Sequence, residues 1–379
     1  MVDAALARCA AYEPELCRAA LEEAISQVGG LDWVEPGMKI GIKANLVSAM
    51  KPEKAATTHP VLLAALVSLL KERGAEVIVG DSPGGLYNAA HLSRVYAATG
   101  MDGIGAELNR DFGTREVEFP QAKVAKRFTV TSWLLGCDAI VNFCKLKSHG
   151  MMGMSAAAKN LFGTVPGTMK PEYHYRFPDK MDFARMLVDL DEYWQPRLHI
   201  VDAVVGMEGN GPTAGTPKPL GCVLAGRNPH KLDLLCAKLI GLAPESLPLL
   251  LAAAERGLTG LDADGLNVWG DWRSFIQPDF ETVEERSGLQ FQNLLPGRAG
   301  ELLSAAVGKV IEPRPGVEKG ECVGCGKCGR ICPAGAITMK HKLPRIDRGR
   351  CIRCFCCQEF CPKGAMKVRR RPIAALLAK

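Results

Sequence analysis

No stretch of this chain approaches eighteen consecutive apolar residues, so the sequence offers no helix expected to span a bilayer. The N-terminal run MVDAALARCAAYEPELCRAALEEA has no basic segment followed by an apolar one, so no secretory signal is expected. No G-x-G-x-x-G follows a strand, and no G-x-x-x-x-G-K with a following Ser or Thr occurs. Neither a dinucleotide fold nor a phosphate loop of known type is therefore indicated. A C-x3-C-x2-C run is also missing, which argues against a radical enzyme of the adenosylmethionine type. There is no internal repeat apart from two cysteine runs. Apolar content of 47% and charged content of 23% are ordinary for a globular protein. At 379 residues there is room for two or more domains around a large core.

Cysteine is what the chain does have, 15 in all. Cys322-x2-Cys325-x2-Cys328-x3-Cys332-Pro333 is followed by Cys351-x2-Cys354-x2-Cys357-x3-Cys361-Pro362. This is the spacing of bacterial ferredoxins that hold two 4Fe-4S clusters. A cubane takes four thiolates, and a local loop wraps only three of them around one cluster. The fourth cysteine of each run then ligates the other cluster. The crossed assignment gives Cys322, Cys325, Cys328 and Cys361 to one cluster and Cys332, Cys351, Cys354 and Cys357 to the other. A four-cysteine zinc site would show two separated C-x2-C pairs, and disulfides would need an oxidising compartment. Cys356, beside Cys357, is read as packing near a cluster. The six remaining cysteines (Cys9, Cys17, Cys137, Cys144, Cys222 and Cys236) are scattered in apolar surroundings. They are expected to be reduced core thiols of a cytoplasmic protein.

Charge divides the chain. The net +6 conceals 15 Lys and Arg against 4 Asp and Glu from Glu318 to Lys379, with 32 against 37 before that. A basic cluster domain would attract an acidic redox partner of the ferredoxin or flavodoxin type. The plain alternative is a solvated surface that keeps a small domain soluble. The run Lys367-Val368-Arg369-Arg370-Arg371 carries no interleaved aromatics, so no nucleic-acid partner is expected.

Before about residue 290, apolar strand runs alternate with helical stretches. Met38–Lys43, Glu76–Gly80, Ala139–Phe143, Leu198–Asp202 and Gly221–Ala225 read as strands. Helices are expected from Pro60 to Arg73, from about Ser155 to Leu161, and from Asn228-Pro229 to Gly241. The expected fold is α/β, a mainly parallel sheet with helices on both faces, followed by a small ferredoxin-like α+β domain. The boundaries read as an α/β domain over 1–290, a connector over 291–317, a two-cluster domain over 318–370 and a tail over 371–379.

In such folds ligands bind beyond the carboxyl ends of strands, and here those ends are polar. Lys43-Ala44-Asn45, Asp81-Ser82, Lys145-Leu146-Lys147-Ser148-His149 and Asp202 follow the apolar runs. Lys43, Lys145, Lys147 and Lys159, with Asn45, Asp81 and Ser82, would gather around an anionic small molecule. The alternative is lysines on separate solvated loops. His149 and Asp202 are the candidate proton donors, and Asp81, Asp202, Glu208 and Asp233 the candidate metal or acid/base carboxylates. His59, before a helix-starting proline, reads as satisfying backbone groups. The stretch Thr164–Pro178 has no regular period and reads as a lid or as a loop pinned by its aromatics.

Six segments in order resemble the domain-of-unknown-function 362 family. They are Lys43–Val47, Thr57–Pro60, Gly80–Gly84, Lys145–His149, Lys159–Gly163 and Asp202 through Gly211-Pro212. The resemblance runs from about Cys9 to Val368 and implies the fold and the clusters, but no reaction. The expected function is iron–sulfur electron transfer, either as an oxidoreductase acting on the bound anion or as a non-catalytic carrier feeding another enzyme.

Overall fold

The structure, a computed structural model, describes residues 2–283 and 313–369. Most of the expected connector, residues 291–312, and all of the expected tail, 371–379, lie outside the described residues. Numbering the described elements in chain order, the strands of the body are β1 (Ala4–Arg8), β2 (Lys39–Lys43), β3 (Glu76–Gly80), β4 (Glu107–Leu108), β5 (Thr114–Glu118), β6 (Arg127–Thr131), β7 (Ala139–His149), β8 (Gly153–Ser155), β9 (Leu198–Glu208), β10 (Thr216–Gly226) and β11 (Val268–Trp269). Its helices are α1 (Pro14–Gln27), α2 (Pro60–Glu72), α3 (Ala89–Thr99), α4 (Ala157–Asn160), α5 (Lys170–Arg176), α6 (Lys180–Trp194), α7 (Pro229–Leu239) and α8 (Pro248–Ala254).

Side-chain caps set where several of these helices begin. His59 Nδ1 accepts from Val61 N at 3.3 Å ahead of α2. Asn228 Oδ1 accepts from His230 N and Lys231 N at 2.8 and 3.1 Å ahead of α7. Each such cap contributes about 1 kcal/mol, and the proline that follows each is pre-set for the first turn.

The sheet runs β11-β1-β10-β9-β7-β2-β3-β4, with β8 paired to the end of β7. β9, β7, β2, β3 and β4 pair in parallel, whereas β10 lies antiparallel between β9 and β1. One face is covered by α1, α2 and α3, the other by α6, α7 and α8. Burial on both faces explains why β2, β3 and β7 read as apolar runs rather than alternating ones.

Two expectations change. β7 and β9 run about six residues further than their apolar cores, so Lys145, Lys147 and His149 stand on a strand and not on a loop. The whole of β7 is buried, because other chain covers its polar end. Within Thr164–Pro178 there is a short helix, α5, in place of an irregular lid. Tyr173 is parallel to Phe128 at 6.3 Å between centroids, and His174 stacks on Phe183 at 4.3 Å. Those rings pin the segment, as the aromatic reading allowed.

The C-terminal unit is built from β12 (Arg314–Val317), α9 (Lys327–Arg330), β13 (Ile337–Lys340), β14 (Leu343–Ile346), α10 (Cys356–Glu359) and β15 (Met366–Arg369). β12 pairs antiparallel with β15, so residues 314–317 join this unit rather than the connector. Cys354, Phe355, Cys356 and Phe360 sit in the same apolar cluster as α6 and Phe162 of the body. Gln358 Nε2 donates to Asn210 O and Gly211 O, and Val368 N donates to Asn210 Oδ1. Gly150 lies where a Cβ would come within 3.0 Å of Gln358 Oε1 and 3.3 Å of Phe355. The small unit is therefore packed over the end of β7. Among the described residues no helix is long and apolar enough to cross a membrane.

Candidate functional site

Alternation along β7 puts Lys145, Lys147 and His149 on one side of the strand. The structure then sends them to three different environments. Lys145 meets Asp202 at 2.9 Å and donates to the Tyr12 hydroxyl oxygen at 2.6 Å. Tyr12 donates in turn to Asp202 Oδ1 at 2.8 Å, and His59 N donates to Oδ2 at 3.0 Å. Val204 N adds a fourth bond to that carboxylate. The Tyr12 ring stacks on His59 with centroids 3.5 Å apart. Burial, with Asp202 nearby, raises the Tyr12 hydroxyl far above its usual range. Burial pulls Lys145 down while Asp202 opposes it. Lys145, Asp202, Tyr12 and the His59 backbone thus satisfy one another.

Lys43, at the end of β2, forms a second closed pair. Its Nζ lies 2.8 Å from Asp81 Oδ1 and donates to Ala44 O at 2.6 Å. Asp81 Oδ2 accepts from Leu46 N at 2.8 Å. A Cβ at Gly163 would collide with both Asp81 Oδ1 and Lys43 Nζ, so only glycine fits beside the pair. Asn160 donates to Lys43 O and accepts from Asn45 Nδ2. Ser82 faces inward, where its Oγ accepts from Gly167 N at 2.8 Å.

Lys147 differs from both. Its Nζ donates to Asn45 Oδ1 at 2.6 Å and to Ala56 O at 2.7 Å, with no carboxylate partner. Burial and then the Lys159 charge push it down to about 7. Lys159 makes no hydrogen bond or ion pair among the described residues, and its Nζ lies 5.9 Å from the Phe162 ring centre. Lys170 stands over the same ring and bonds Ser82 O; desolvation pushes it down to about 8.

These three lysines, with Asn45, Asp81, Asn160, Glu359 and Phe360 among others, line a cavity of about 70 Å³. With Lys43 offset by Asp81, Glu359 is the one carboxylate left against three ammonium groups. Such an excess of positive charge at low dielectric favours an anion. Val47, on the cavity wall, holds φ +46°, a conformation a β-branched residue rarely adopts.

Glu359 comes from α10, between Cys357 and Cys361, and its Oε1 lies 3.0 Å from His149 Nε2. His149 Nδ1 accepts from Met151 N and Met152 N at 3.1 and 3.2 Å, which leaves the proton on Nε2, facing Glu359. Burial, then the Lys159 charge, lowers His149 to about 4, so it is neutral near pH 7. Burial would raise Glu359, but Lys159 and His149 outweigh it and hold the carboxylate ionised. His149 thus faces the cluster unit and does not line the cavity. Beyond Glu359 and Phe360 a wider cleft of about 560 Å³ opens between the units, with Cys361 on its wall.

The carboxylates considered for a metal do not converge. Asp233 caps α4 by accepting from Ala157 N and Ala158 N, and burial raises it to about 7. Glu208 accepts from Glu281 N. Among the described residues no three His, Cys, Asp or Glu side chains converge on a single-ion site.

The cysteines surround a space instead. Cys322, Cys325, Cys328 and Cys361 line one small cavity together with Val323, Met339 and Met366. Cys354, Cys351 and Cys332 act on Cys357, whose thiol burial and those neighbours push up. The first grouping holds the four cysteines of one expected set, and four thiols around a void suit a cubane; Cys328 of that set also acts on Cys357. Cys356 is buried in the apolar cluster between the units. Sequence reasoning missed Tyr12, Lys170, Glu359 and Phe360. Tyr12 and Lys170 had no motif, while Glu359 sits inside the cysteine run.

A family profile described as a domain of unknown function, DUF362, matches residues 40–238, and a second, a 4Fe-4S dicluster domain, matches residues 321–365. A thylakoid-associated protein of Synechocystis sp. is 30% identical over 268 residues, which cover 68% of this chain and 81% of that protein. Among solved structures, the lactate racemase apoprotein from Thermoanaerobacterium thermosaccharolyticum aligns over 60% of this chain and 54% of its own, at 12% identity and a TM-score of 0.38. A protein from Thermotoga maritima aligns over 55% and 53%, at 12% identity and a TM-score of 0.36. The chain thus spans about half the length of each of those two structures.

Proposed function

We propose a function from the site's geometry, because the chain belongs to the DUF362 family and that family's description assigns none. Its 4Fe-4S dicluster domain supports iron–sulfur electron transfer, and the cubanes would supply single electrons at potentials tuned by their surroundings. We read the chain as an oxidoreductase that passes electrons through two 4Fe-4S clusters to an anionic small molecule. Cys322, Cys325, Cys328 and Cys361 would hold one cluster, and Cys332, Cys351, Cys354 and Cys357 the other. One observation carries the reading. The cavity that sets Lys147, Lys159 and Lys170 against Glu359 has Glu359 and Phe360 on its wall, and these two residues lie between Cys357 and Cys361.

In this reading Lys159 and Lys170 bind and orient the negative group, and Asn45 and Asn160 fix it laterally. Lys147, at about 7, holds a proton it can give up near neutral pH. That role replaces the ones expected for His149 and Asp202, whose polar atoms are already engaged. His149 instead positions Glu359. Lys43, Asp81 and Ser82 shape the cavity from behind, and Lys145 holds β7 to β9. The basic cluster unit favours an acidic redox partner of the ferredoxin or flavodoxin type. In a reducing, cytoplasmic setting Cys9, Cys17, Cys137, Cys144, Cys222 and Cys236 would stay free thiols.

A non-catalytic carrier or docking module is the second reading, and the lack of a free proton donor at His149 and Asp202 favours it. The two separate on anaerobically purified protein analysed by mass spectrometry for bound small molecules. The oxidoreductase reading expects an anion that is lost in Lys147→Ala and Lys159→Ala proteins with iron and sulfide content unchanged. Clean protein without any such anion, in every preparation, would leave the carrier.

A further inference from the structure

We infer that the face around Cys325 is the docking site for an acidic one-electron carrier protein. The inference rests on the electron-transfer reading above, but not on the lysine cavity. The two cysteine sets differ in access. Cys354, 8% exposed, is buried with Phe355, Phe360 and the α/β body, and Cys357, 6% exposed, is buried with Ile337 and Met366 inside the small unit. Cys325 is the exposed cysteine of the chain's described residues. Its loop is turned outward by Gly324 and Gly326, both at φ +70°, a conformation that suits glycine.

What surrounds that thiol has the composition of a transient interface. Val323 is 61% exposed and Met339 38% exposed, so the centre is apolar. The rim is cationic. Lys342 packs where a Cβ on Gly324 would meet it at 2.8 Å, and Arg330 lies 3.2 Å from the same point on Gly326. Lys327 and Lys363 line the cavity shared by Cys322, Cys325, Cys328 and Cys361. The acidic residues close by in sequence are already paired, Glu321 with Lys367 at 3.1 Å and Glu318 with Arg369. An exposed apolar centre with a one-sign rim marks an interaction site, and electron-transfer encounters use small ones, under about 1,200 Å². A neutral or basic partner would leave four cations poorly matched, whereas a carboxylate-rich one steers to them. In the exchange the carrier would give up one electron to the cluster that Cys322, Cys325, Cys328 and Cys361 would hold, with no bond formed and no proton moved.

The test uses the full, cluster-loaded chain and a gallium-substituted acidic ferredoxin, which binds without redox turnover. Titration calorimetry at low salt should give a complex that weakens steeply as salt is added. Arg330→Glu with Lys342→Glu should weaken it on the order of tenfold or more, at unchanged iron and sulfide content. Equal affinity in that variant overturns the proposal. Should the variant lose its clusters, carbodiimide cross-linking of the unaltered protein decides. Adducts on Lys327, Lys342 or Lys363 support the site, and adducts confined to Lys39, Lys123 or Lys126 overturn it. Capture by phosphatidylserine vesicles without any carrier binding also overturns it. Lys159→Ala should leave carrier binding unchanged, so the lysine cavity can fail as a substrate site while the docking face stands.

Discussion

Lys145 and Lys147 are two residues apart on one side of one buried strand, yet they end in opposite electrostatic situations. Lys145 enters a closed network with Asp202, Tyr12 and the His59 backbone. Lys147 finds only an amide oxygen and a carbonyl, and shares its surroundings with Lys159 and Lys170. A buried charge with a hydrogen-bonded counter-charge is architecture. One without a counter-charge is destabilising until an anion arrives. The difference between the networks separates scaffold from site more sharply than residue type does.

The largest effect that would break this contrast is on stability. Asp202→Ala strands Lys145 in the core, and breaking such a pair costs about 3–5 kcal/mol. Chemical denaturation should show that loss, whereas Lys159→Ala should leave the midpoint unchanged or slightly raised. If both substitutions destabilise alike, the division into closed and open networks fails. Next in size is ligand affinity. Removing one charge-assisted contact costs about 1.5–3 kcal/mol, so Lys159→Ala should weaken the co-purifying anion about tenfold or more. Lys145→Met, tested for retention of that anion, should leave it bound to whatever protein folds.

The pH dependence sharpens the comparison further. Lys147 titrates near 7 when folded, against about 10.4 in an unfolded chain. Between those values the folded state holds fewer protons, so this group makes stability rise with pH there, by up to about 1.4 kcal/mol per unit. Anion affinity runs the other way and should fall as Lys147 and Lys170 lose their protons from about 7 to 8. Denaturation series at several pH values should show the upward slope shrink in Lys147→Met, with Lys170 still contributing above about 8. His149 adds the same sign lower down. Its folded value of about 4 lies below the unfolded 6.5, so its contribution to stability is lost as pH falls through that interval. The smallest effect belongs to the scaffold. His59→Ala removes the α2 cap and the Tyr12 stack and should cost about 1 kcal/mol, with anion binding unaltered.

Much of this was legible in the chain, unevenly. The strand at Glu76–Gly80 and the α2 and α7 starts follow from apolar runs and cap residues that act over a few positions. The polar half of β7 was not legible as strand, because Lys-Leu-Lys-Ser-His has the look of a loop until β8, β9 and the cluster unit cover it. Four lysines were singled out, but not their fates. Lys43 and Lys145 are neutralised by Asp81 and Asp202, while Lys170, which completes the cavity, lies in a stretch read as irregular.

The 4Fe-4S dicluster domain is the part that composition and spacing announced unaided. Ligand geometry around a cubane is local in sequence for three of every four thiols, so the register alone announces it. Tertiary structure decided what the lysines are for. A counter-charge such as Asp202 reaches Tyr12 across 190 positions, and Glu359 closes on His149 only when the cluster unit packs over β7. Burial removes the water that would otherwise make all these charges equivalent, and which ammonium keeps a partner afterwards depends on packing that no short motif records.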